Sequence, residues 1–213
     1  MARRSPARTR PSDLSADAVK LAAPASDASL PTRERIVRAA LRLFQMRGYH
    51  GAGLAEILDD ARAPKGSLYH HFPGGKEDLA IAALERVSDG LLALISRQRA
   101  KGRRAADVVR AMSKGIGPWL VRTSWRERGI ISALADGAAP ETPRLRAALG
   151  AAQTARVEAL ALLLASEGAS EPGARAAFAF AALDGAMLQA RLARDTAPIL
   201  SAAAWVAQIL DAR

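Results

Sequence analysis

Cysteine is absent from the 213-residue chain, and aromatic residues make up only 4% of it. Without cysteine, a disulfide scaffold, a thiolate metal site and a cysteine nucleophile are excluded. No uninterrupted apolar run approaches the roughly 18 residues that a membrane span requires. The N-terminus is basic but lacks the apolar segment and cleavage site of a secretory signal. These absences favour a cytoplasmic protein with no membrane contact.

Half of the residues are apolar, and alanine and leucine dominate over the β-branched types. This composition favours helices, and the length allows one sizeable core or two modest domains. The formal net charge of +10 suits a polyanion such as a nucleic acid. Because arginine heavily outnumbers lysine and alanine is abundant, GC-rich coding would also produce such a charge. The charge alone therefore does not establish a partner.

The stretch from position 54 to position 76 predicts two short helices joined by a tight turn. Leu54, Ile57 and Leu58 follow i, i+3, i+4 spacing, which gives the first helix one apolar face. Pro64 disfavours helical dihedral angles at the residue before it and suits the first position of a new helix. Such a pair forms the helix-turn-helix unit that places its second helix in the major groove of DNA.

The second of these helices has a face that we predict to be buried and a face that is polar. Leu68 and Phe72 lie four residues apart and are predicted to pack inward. The opposite side carries Lys65, Ser67, Tyr69 and His70, with His71 near the edge.

Two further helices are predicted around this unit. The first begins at Thr32, which we expect to be its N-cap, and ends at Gly48 as the C′ residue. The second begins at Lys76 or Glu77. The residues before position 32 are predicted to form a disordered basic tail, because the segment has too few apolar residues to offset its ordering entropy. That tail, with Arg3, Arg4, Arg8 and Arg10, is interpreted either as an arm that reaches DNA or as an extension without a role.

The runs IVRAALRLFQMRGY and LAEILDDARAPKGSLYHHFPGGKEDL resemble the DNA-binding domain of the TetR family of bacterial transcriptional regulators. The resemblance covers residues 32–84 and includes the AAxxLFxxxGY helix end, the KGSLYHHF recognition helix and the KEDL opening of the fourth helix. The FPGGKE junction resembles the branch that responds to lincosamides and flavonoids. The resemblance implies an all-α chain with an N-terminal three-helix helix-turn-helix DNA-binding domain (32–78). A C-terminal helical ligand-binding and dimerisation domain (79–213) would follow it.

The resemblance also implies which residues contact DNA, namely Arg62, Lys65, Gly66, Ser67, Tyr69, His70, His71 and Lys76. Residues 65–67 would face base edges or flanking phosphates, Tyr69 and His71 would contact the backbone, and Lys76 would bind a phosphate at a helix N-terminus. The two adjacent histidines point about 100° apart on a helix and have no carboxylate-rich partner motif. We therefore expect no metal and no other cofactor.

Two departures from the family's pattern lie beside the recognition helix. Ala52-Gly53 stands where the family usually has threonine, so a hydroxyl that caps the next helix and contacts a phosphate is lost. The loss of such a cap costs about 1 kcal/mol. Arg62 replaces the glycine of the turn and must tolerate the backbone of the turn. We predict that its guanidinium partly replaces the lost phosphate contact.

The remainder of the chain predicts helices near 105–122, 126–136, 141–167, 172–194 and 198–211. Loop breaks are expected at Gly115–Pro118, 137–143, 168–173 and 196–198. The basic run from Arg97 to Arg104 is interpreted as a solvated loop in preference to a DNA contact, because it should lie far from the recognition helix.

Two sets of residues are predicted to serve the second domain. A pocket for a flat apolar ligand is predicted from the bulkiest side chains, with ordinary core packing as the competing interpretation: Met112, Trp119, Trp125, Phe178 and Met187. A dimer interface on the last two helices is predicted from small residues and apolar anchors: Ala177, Ala181, Gly185, Trp205 and Ile209.

The sequence thus predicts a ligand-responsive DNA-binding regulator, most simply a repressor. It would bind a palindromic operator in double-stranded DNA as a homodimer and would be released by a small-molecule effector that is apolar or aromatic. A non-specific basic DNA-binding protein would explain the charge but not the helix-turn-helix. A small helical enzyme is the third possibility, but no acid/base pair, nucleophile or metal cluster is recognisable, so no catalysis is expected.

Overall fold

A computed structural model of the chain describes residues 30–212, and the basic tail lies outside them apart from its last two residues. The described part is built from nine α-helices and one 3-10 turn, and it contains no strand. The helices are α1 Thr32–Gly51, α2 Leu54–Asp60, α3 Lys65–His71, α4 Lys76–Ala100, α5 Ala105–Arg122, α6 Ile130–Leu134, α7 Pro143–Ser166, α8 Pro172–Ala193 and α9 Ala197–Asp211. The all-α prediction is confirmed.

The two ends of α1 are set by single residues. Pro31 is the N-cap, because its carbonyl oxygen accepts the first helical hydrogen bond from the Arg35 amide at 3.1 Å. The prediction that Thr32 is the cap is therefore wrong by one residue, and no side chain caps this helix. Gly48 has φ 75° and ψ 178°, a conformation that interrupts the helix and that glycine adopts without strain. The predicted stop at Gly48 is confirmed, although one further helical turn follows it.

One apolar core joins the first three helices to parts of the chain that lie far away in sequence. It contains buried residues of α1, α2 and α3 and of the N-terminal half of α4, together with Ile130, Leu134, Leu145 and Leu149 from α6 and α7. The division at residue 78 stays a prediction, but the packing along α4 is continuous across it. Helix α6 and the start of α7 are therefore packed against the core of the helix-turn-helix.

A second core lies at the other end of α4. It is formed by the C-terminal part of α4 with α5, the second half of α7, α8 and α9. A smaller cluster around Leu120, Ala186, Ala190 and Ile199 extends it, and Trp119 and Trp125 pack against this cluster. With about 1.5 Å of rise per residue, the 25 residues of α4 separate the basic loop after it from the recognition helix by roughly 37 Å. This distance argues against a DNA contact. The solvated-loop prediction is nevertheless wrong in part, because Arg97 and Arg99 lie in the last turn of α4 and Arg104 forms ion pairs with Glu167 and Asp211.

Helix α5 does not break at Gly115–Pro118, contrary to the prediction. Pro118 lies inside the helix, where it forfeits one backbone hydrogen bond but does not end it. Gly117 lies against Thr196 at the start of α9, and a Cβ at Gly117 would come within 3.0 Å of the Thr196 side chain. The glycine therefore permits close packing and does not mark a loop.

The next helix is shorter than predicted. Residues 126–129 are not helical, because Ser124 and Trp125 have φ values of 52° and 64° and turn the chain away from the axis of α5. Arg191 of α8 holds this turn by donating from Nε to the Trp125 carbonyl oxygen at 3.2 Å. Helix α6 is consequently confined to Ile130–Leu134 and a 3-10 turn.

Within the described residues, α7 alone is long and apolar enough to cross a membrane by length and composition. It carries Arg156 and Glu158 near its middle, and it packs against α4 and α8. A helix of a packed helical domain passes the same test, so this is weak support for a span.

Glu127, in the segment between α5 and α6, is a nearly buried carboxylate. Its Oε2 accepts a hydrogen bond from Trp119 Nε1 at 2.8 Å. Burial raises the pKa of Glu127 above its ordinary value, and the bond from Trp119 and the charges of nearby arginines only partly oppose this. Ionisation is therefore less favourable in the folded state, so the contribution of Glu127 to stability falls as the pH rises from the ordinary carboxyl pKa through the raised one.

We predict that Glu127→Gln gains stability relative to the wild type as the pH is raised. The amide keeps an oxygen that can accept the Trp119 hydrogen bond but carries no charge to bury. The melting temperatures of the two proteins should be similar near pH 4, and the variant should melt higher at about pH 7. Thermal unfolding followed by circular dichroism across this range measures the difference. A difference that did not change with pH would contradict the assignment.

Candidate functional sites

The turn between α2 and α3 is a Schellman motif with an arginine at the position that favours glycine. The Ala63 amide donates to the Leu58 carbonyl oxygen and the Arg62 amide to that of Asp59, each at 2.9 Å. Arg62 has φ 48°, in the left-handed region. The expectation that Arg62 must tolerate the backbone of the turn is confirmed. For a residue other than glycine, this conformation costs about 1 kcal/mol.

Arg35 of α1 binds the carbonyl oxygens of this turn. Its Nε donates to Ala61 at 3.0 Å, one terminal nitrogen donates to Arg62 at 3.3 Å, and the other donates to Leu30 at 2.9 Å. The carbonyls of Ala61 and Arg62 follow the end of α2 and accept no helical hydrogen bond, so a guanidinium satisfies them well. Sequence reasoning missed this role because Arg35 looks like one of several exposed arginines of α1.

No side chain caps α2. Gly53 is its N-cap with extended dihedral angles, and Ala52 before it is fully buried. The predicted absence of a hydroxyl cap is thus confirmed. Ion pairs hold α2 against α1 instead: Arg42 with Asp60 at 2.7 Å and Arg47 with Glu56 at 2.5 Å.

The recognition helix α3 is anchored by two apolar side chains and exposes its polar face. Leu68 and Phe72 are 1% and 2% exposed, as predicted, and the Arg33 guanidinium lies 5.3 Å from the centre of the Phe72 ring. Tyr69 is 62% exposed although it is a large aromatic residue. Among the other residues predicted to contact DNA here, Arg62, Lys65, Gly66 and His70 are exposed, while Ser67 and His71 are partly buried.

Lys76 is the residue of this set whose surroundings differ most from the expectation. It does begin α4, but its ammonium donates to the His50 carbonyl oxygen at 3.3 Å and lies 5.0 Å from the centre of the Tyr49 ring. Partial burial lowers its pKa. Its charge is therefore partly used to join α4 to the end of α1, which leaves less of it for a phosphate.

A cavity of about 140 Å³ lies between α4, α5, α6, α7 and α8. Its wall is mostly apolar, and it includes Met112 and Met187, two of the residues that the sequence prediction assigned to a ligand pocket. A cavity of this size holds about one aromatic ring. Because methionine side chains are flexible, a larger ligand can be accommodated by moving these two residues.

The other three residues that were predicted for the pocket lie elsewhere. Trp119 and Trp125 pack against the small cluster around Leu120. Phe178 is 50% exposed, whereas Phe180 lines the cavity. Two residues along a helix are about 200° apart, so only one of these two phenylalanines can face inward. The sequence prediction named Phe178, and the structure turns Phe180 inward in its place.

Helices α8 and α9 present an apolar face to solvent. All five residues predicted for the dimer interface are exposed: Ala177, Ala181, Gly185, Trp205 and Ile209. Trp205 is 65% exposed. Larger apolar residues on the same two helices are exposed as well, namely Phe178, Leu188, Leu192 and Leu200. Contiguous exposed apolar surface of this kind marks interaction sites.

The exposed recognition helix, the internal cavity and the apolar face together define a two-domain helical regulator that binds DNA. Residues 36–83 match the model of the bacterial regulatory proteins of the TetR family. Residues 105–205 match the LmrA/YxaF-like C-terminal domain of transcriptional regulators. The chain belongs to the TetR family, whose members bind operator DNA as dimers and respond to small-molecule effectors.

Individual relatives agree along most of the chain. The transcriptional regulator LmrA of Bacillus subtilis is 32% identical over 84% of this chain and 96% of its own length. The structure of a TetR regulatory protein from Rhodobacter sphaeroides superposes with a TM-score of 0.72 at 25% identity, covering 82% of this chain and 96% of that one. The reduced form of Escherichia coli NemR gives the same TM-score and identity over 84% and 97%.

We predict opposite effects of Arg62→Gly on folding and on DNA binding. Glycine relieves the left-handed backbone by about 1 kcal/mol, which should raise the melting temperature by roughly 2–4 °C. Loss of one phosphate contact should weaken operator binding and reduce the slope of log affinity against log salt by about 0.9. Thermal unfolding measures the change in melting temperature, and salt-titrated fluorescence anisotropy measures the operator affinity and its salt slope.

Arg62→Lys is the matched control, because it keeps the charge together with the strained backbone. It should retain most of the salt slope and gain no stability. An unchanged salt slope in the glycine variant would show that Arg62 does not contact a phosphate.

Proposed function

We propose that the chain represses transcription in the cytoplasm by binding a palindromic operator as a homodimer. A small apolar or aromatic effector that enters the cavity would release it. Helix α4 carries this proposal, because its N-terminal half is buried beneath the helix-turn-helix and its middle lines the cavity. The proposed activity is regulated DNA binding, without catalysis.

The polar face of α3 is proposed to enter the major groove. Lys65, Gly66 and Ser67 begin this helix, where the absence of a side chain at Gly66 permits close approach to DNA. Tyr69 and the two histidines that follow it can donate to phosphate oxygens. Arg62 adds a cation at the turn. Lys76 is assigned a smaller share because its ammonium also binds the carbonyl of His50.

The apolar face of α8 and α9 is proposed to be the dimer interface. Between the two helices runs a groove lined by small residues, and Trp205 stands beside it. Two chains related by a twofold axis can bury this surface against its own copy. A dimer presents two recognition helices to half-sites one helical turn apart, roughly 34–36 Å.

The link between the cavity and the DNA-binding helices is proposed to pass through the first turn of α4. Glu77 accepts a hydrogen bond from the Leu145 amide at 2.9 Å, at the start of α7. Asp78 pairs with Arg144 and also accepts from the Gly74 amide at 2.6 Å. The side-chain hydrogen bond from Arg144 is the main reason that the pKa of Asp78 is lowered.

The contacts between α1 and the α6 region form a second link. His50 Nε2 lies 3.0 Å from the Asp136 carbonyl oxygen. The Arg128 amide donates a hydrogen bond to the Gln45 carbonyl oxygen at 3.1 Å. Because α4, α6 and α7 all line the cavity, an effector that separates them shifts both links together. Such a shift would change the distance between the two recognition helices of a dimer.

We predict that Trp205→Glu converts the protein into a monomer and weakens operator binding by roughly tenfold or more. A carboxylate at the proposed interface would have to be buried without a partner, and one half-site alone binds weakly. Light scattering and anisotropy measure the two effects. Val121→Glu is the control, because Val121 is 55% exposed but lies on α5. A dimeric Trp205→Glu protein would refute this interface.

We predict that Ala152→Phe fills the cavity and removes ligand binding while operator affinity stays within about twofold of wild type. Ala152 lines the cavity, whereas Ala151 beside it is exposed, so Ala151→Phe is the matched control. Ligand-observed ¹⁹F NMR with 4-fluorobenzamide, a single-ring probe, reports occupancy. An operator recovered by footprinting on genomic DNA serves the affinity measurement. Equal probe binding by the two variants would remove the cavity from the proposal.

A further inference from the structure

We propose that the effector carries an anionic oxygen that binds Arg156 inside the cavity. This inference deepens the proposed function, because it assigns a chemical class to the ligand of the same cavity. Arg156 of α7 lines the cavity, and its side chain is only 12% exposed. A buried charge is costly unless its donors are paired.

The guanidinium is held in place by two contacts on α8. One terminal nitrogen donates to Asp184 Oδ2 at 2.5 Å, and the other is 3.5 Å from Oδ1 of the same carboxylate. The central carbon lies 4.7 Å from the centre of the Phe180 ring, so the planar group also rests on an aromatic face. Arg156 is therefore oriented before any ligand arrives.

One donor of this group is left without an acceptor. The Nε atom of Arg156 is buried and makes no hydrogen bond within the described residues. Asp184 occupies the terminal pair of nitrogens, which leaves the edge that contains Nε without a partner. A carboxylate, sulfonate or phenolate oxygen matches this edge, and a bond between charged partners is about twice as strong as a neutral one.

Asp184 is less suited than Arg156 to select a ligand. Its side chain is 44% exposed, so water solvates it, and both of its oxygens already face Arg156. The remaining polar side chains of the cavity wall are the hydroxyls of Ser88 and Ser132. A cationic ligand would have to approach the arginine without a buried anion to receive it. The wall therefore favours an apolar or aromatic skeleton with one anionic group.

The test compares 4-fluorobenzoate with 4-fluorobenzamide, which have nearly the same shape and differ in charge. Dissociation constants are measured by ¹⁹F NMR on the full chain, and the signal that Ala152→Phe removes is assigned to the cavity. The wild type should bind the benzoate about tenfold more tightly than the benzamide. Arg156→Met should abolish this preference and leave benzamide binding within about twofold.

Asp184→Asn provides an independent variant that keeps Arg156. Removal of the competing carboxylate should increase the preference for the benzoate by a further severalfold, so this arm remains decisive if Arg156→Met does not fold. Arg110→Met is the control, because Arg110 is an exposed arginine of α5 that pairs with Asp107 and Asp211. It should leave both probes unaffected.

The outcomes separate this inference from the function on which it rests. If both probes bind in the cavity, as shown by loss of binding in Ala152→Phe, but bind equally tightly, the role of Arg156 is overturned. The proposal of an effector cavity would then stand. Persistence of the preference in Arg156→Met, or its loss in Asp184→Asn, would overturn the role of Arg156 as well. Failure of both probes to bind the wild type would overturn the anion site together with the cavity. A preference that depends on Arg156, without any effect of the benzoate on operator binding, would support the anion site and count against the proposed release.

Discussion

The burial of the N-terminal half of α4 in the core of the helix-turn-helix is the constraint on which the rest of this structure depends. Leu79 and Leu84 lie in the same apolar cluster as Leu68 of the recognition helix and Leu145 of α7. Packed cores resist continuous deformation, so a shift of one of these helices displaces its neighbours. The DNA-binding helices and helices α4, α6 and α7 around the cavity therefore have different roles but share one continuous core.

Contacts from α1 stabilise two unfavourable local features of the helix-turn-helix. The chain places an arginine in the left-handed position of the Schellman turn, and Arg35 compensates by binding the carbonyl oxygens on both sides of that position. The missing hydroxyl cap of α2 is accompanied by ion pairs between α1 and α2. In both places α1 orients the unit. Interactions with this first helix, as much as the turn itself, hold the recognition helix in position.

In the C-terminal helices, the size of a side chain is a poor guide to whether it lines the cavity. The two tryptophans of the α5 region were reasonable candidates for a pocket wall, but Trp119 on α5 and Trp125 in the turn after it both pack against a neighbouring cluster. Arg156, the cation of the cavity wall, belongs to an alanine-rich helix that shows no motif. Its role arises from the approach of α7 to α8, which brings Asp184 and Phe180 beside it.

The sequence by itself determined the helical class, the helix-turn-helix with its buried Leu68 and Phe72, the stop at Gly48 and the small and apolar residues of the last two helices. These features follow from spacing within a few residues and from the backbone preferences of glycine and proline. Only the tertiary structure decided that α5 runs through Pro118, that Phe180 and not Phe178 faces inward, and that Lys76 turns towards His50. Each of these depends on a contact between residues distant in sequence, and local periodicity carries no information about such contacts.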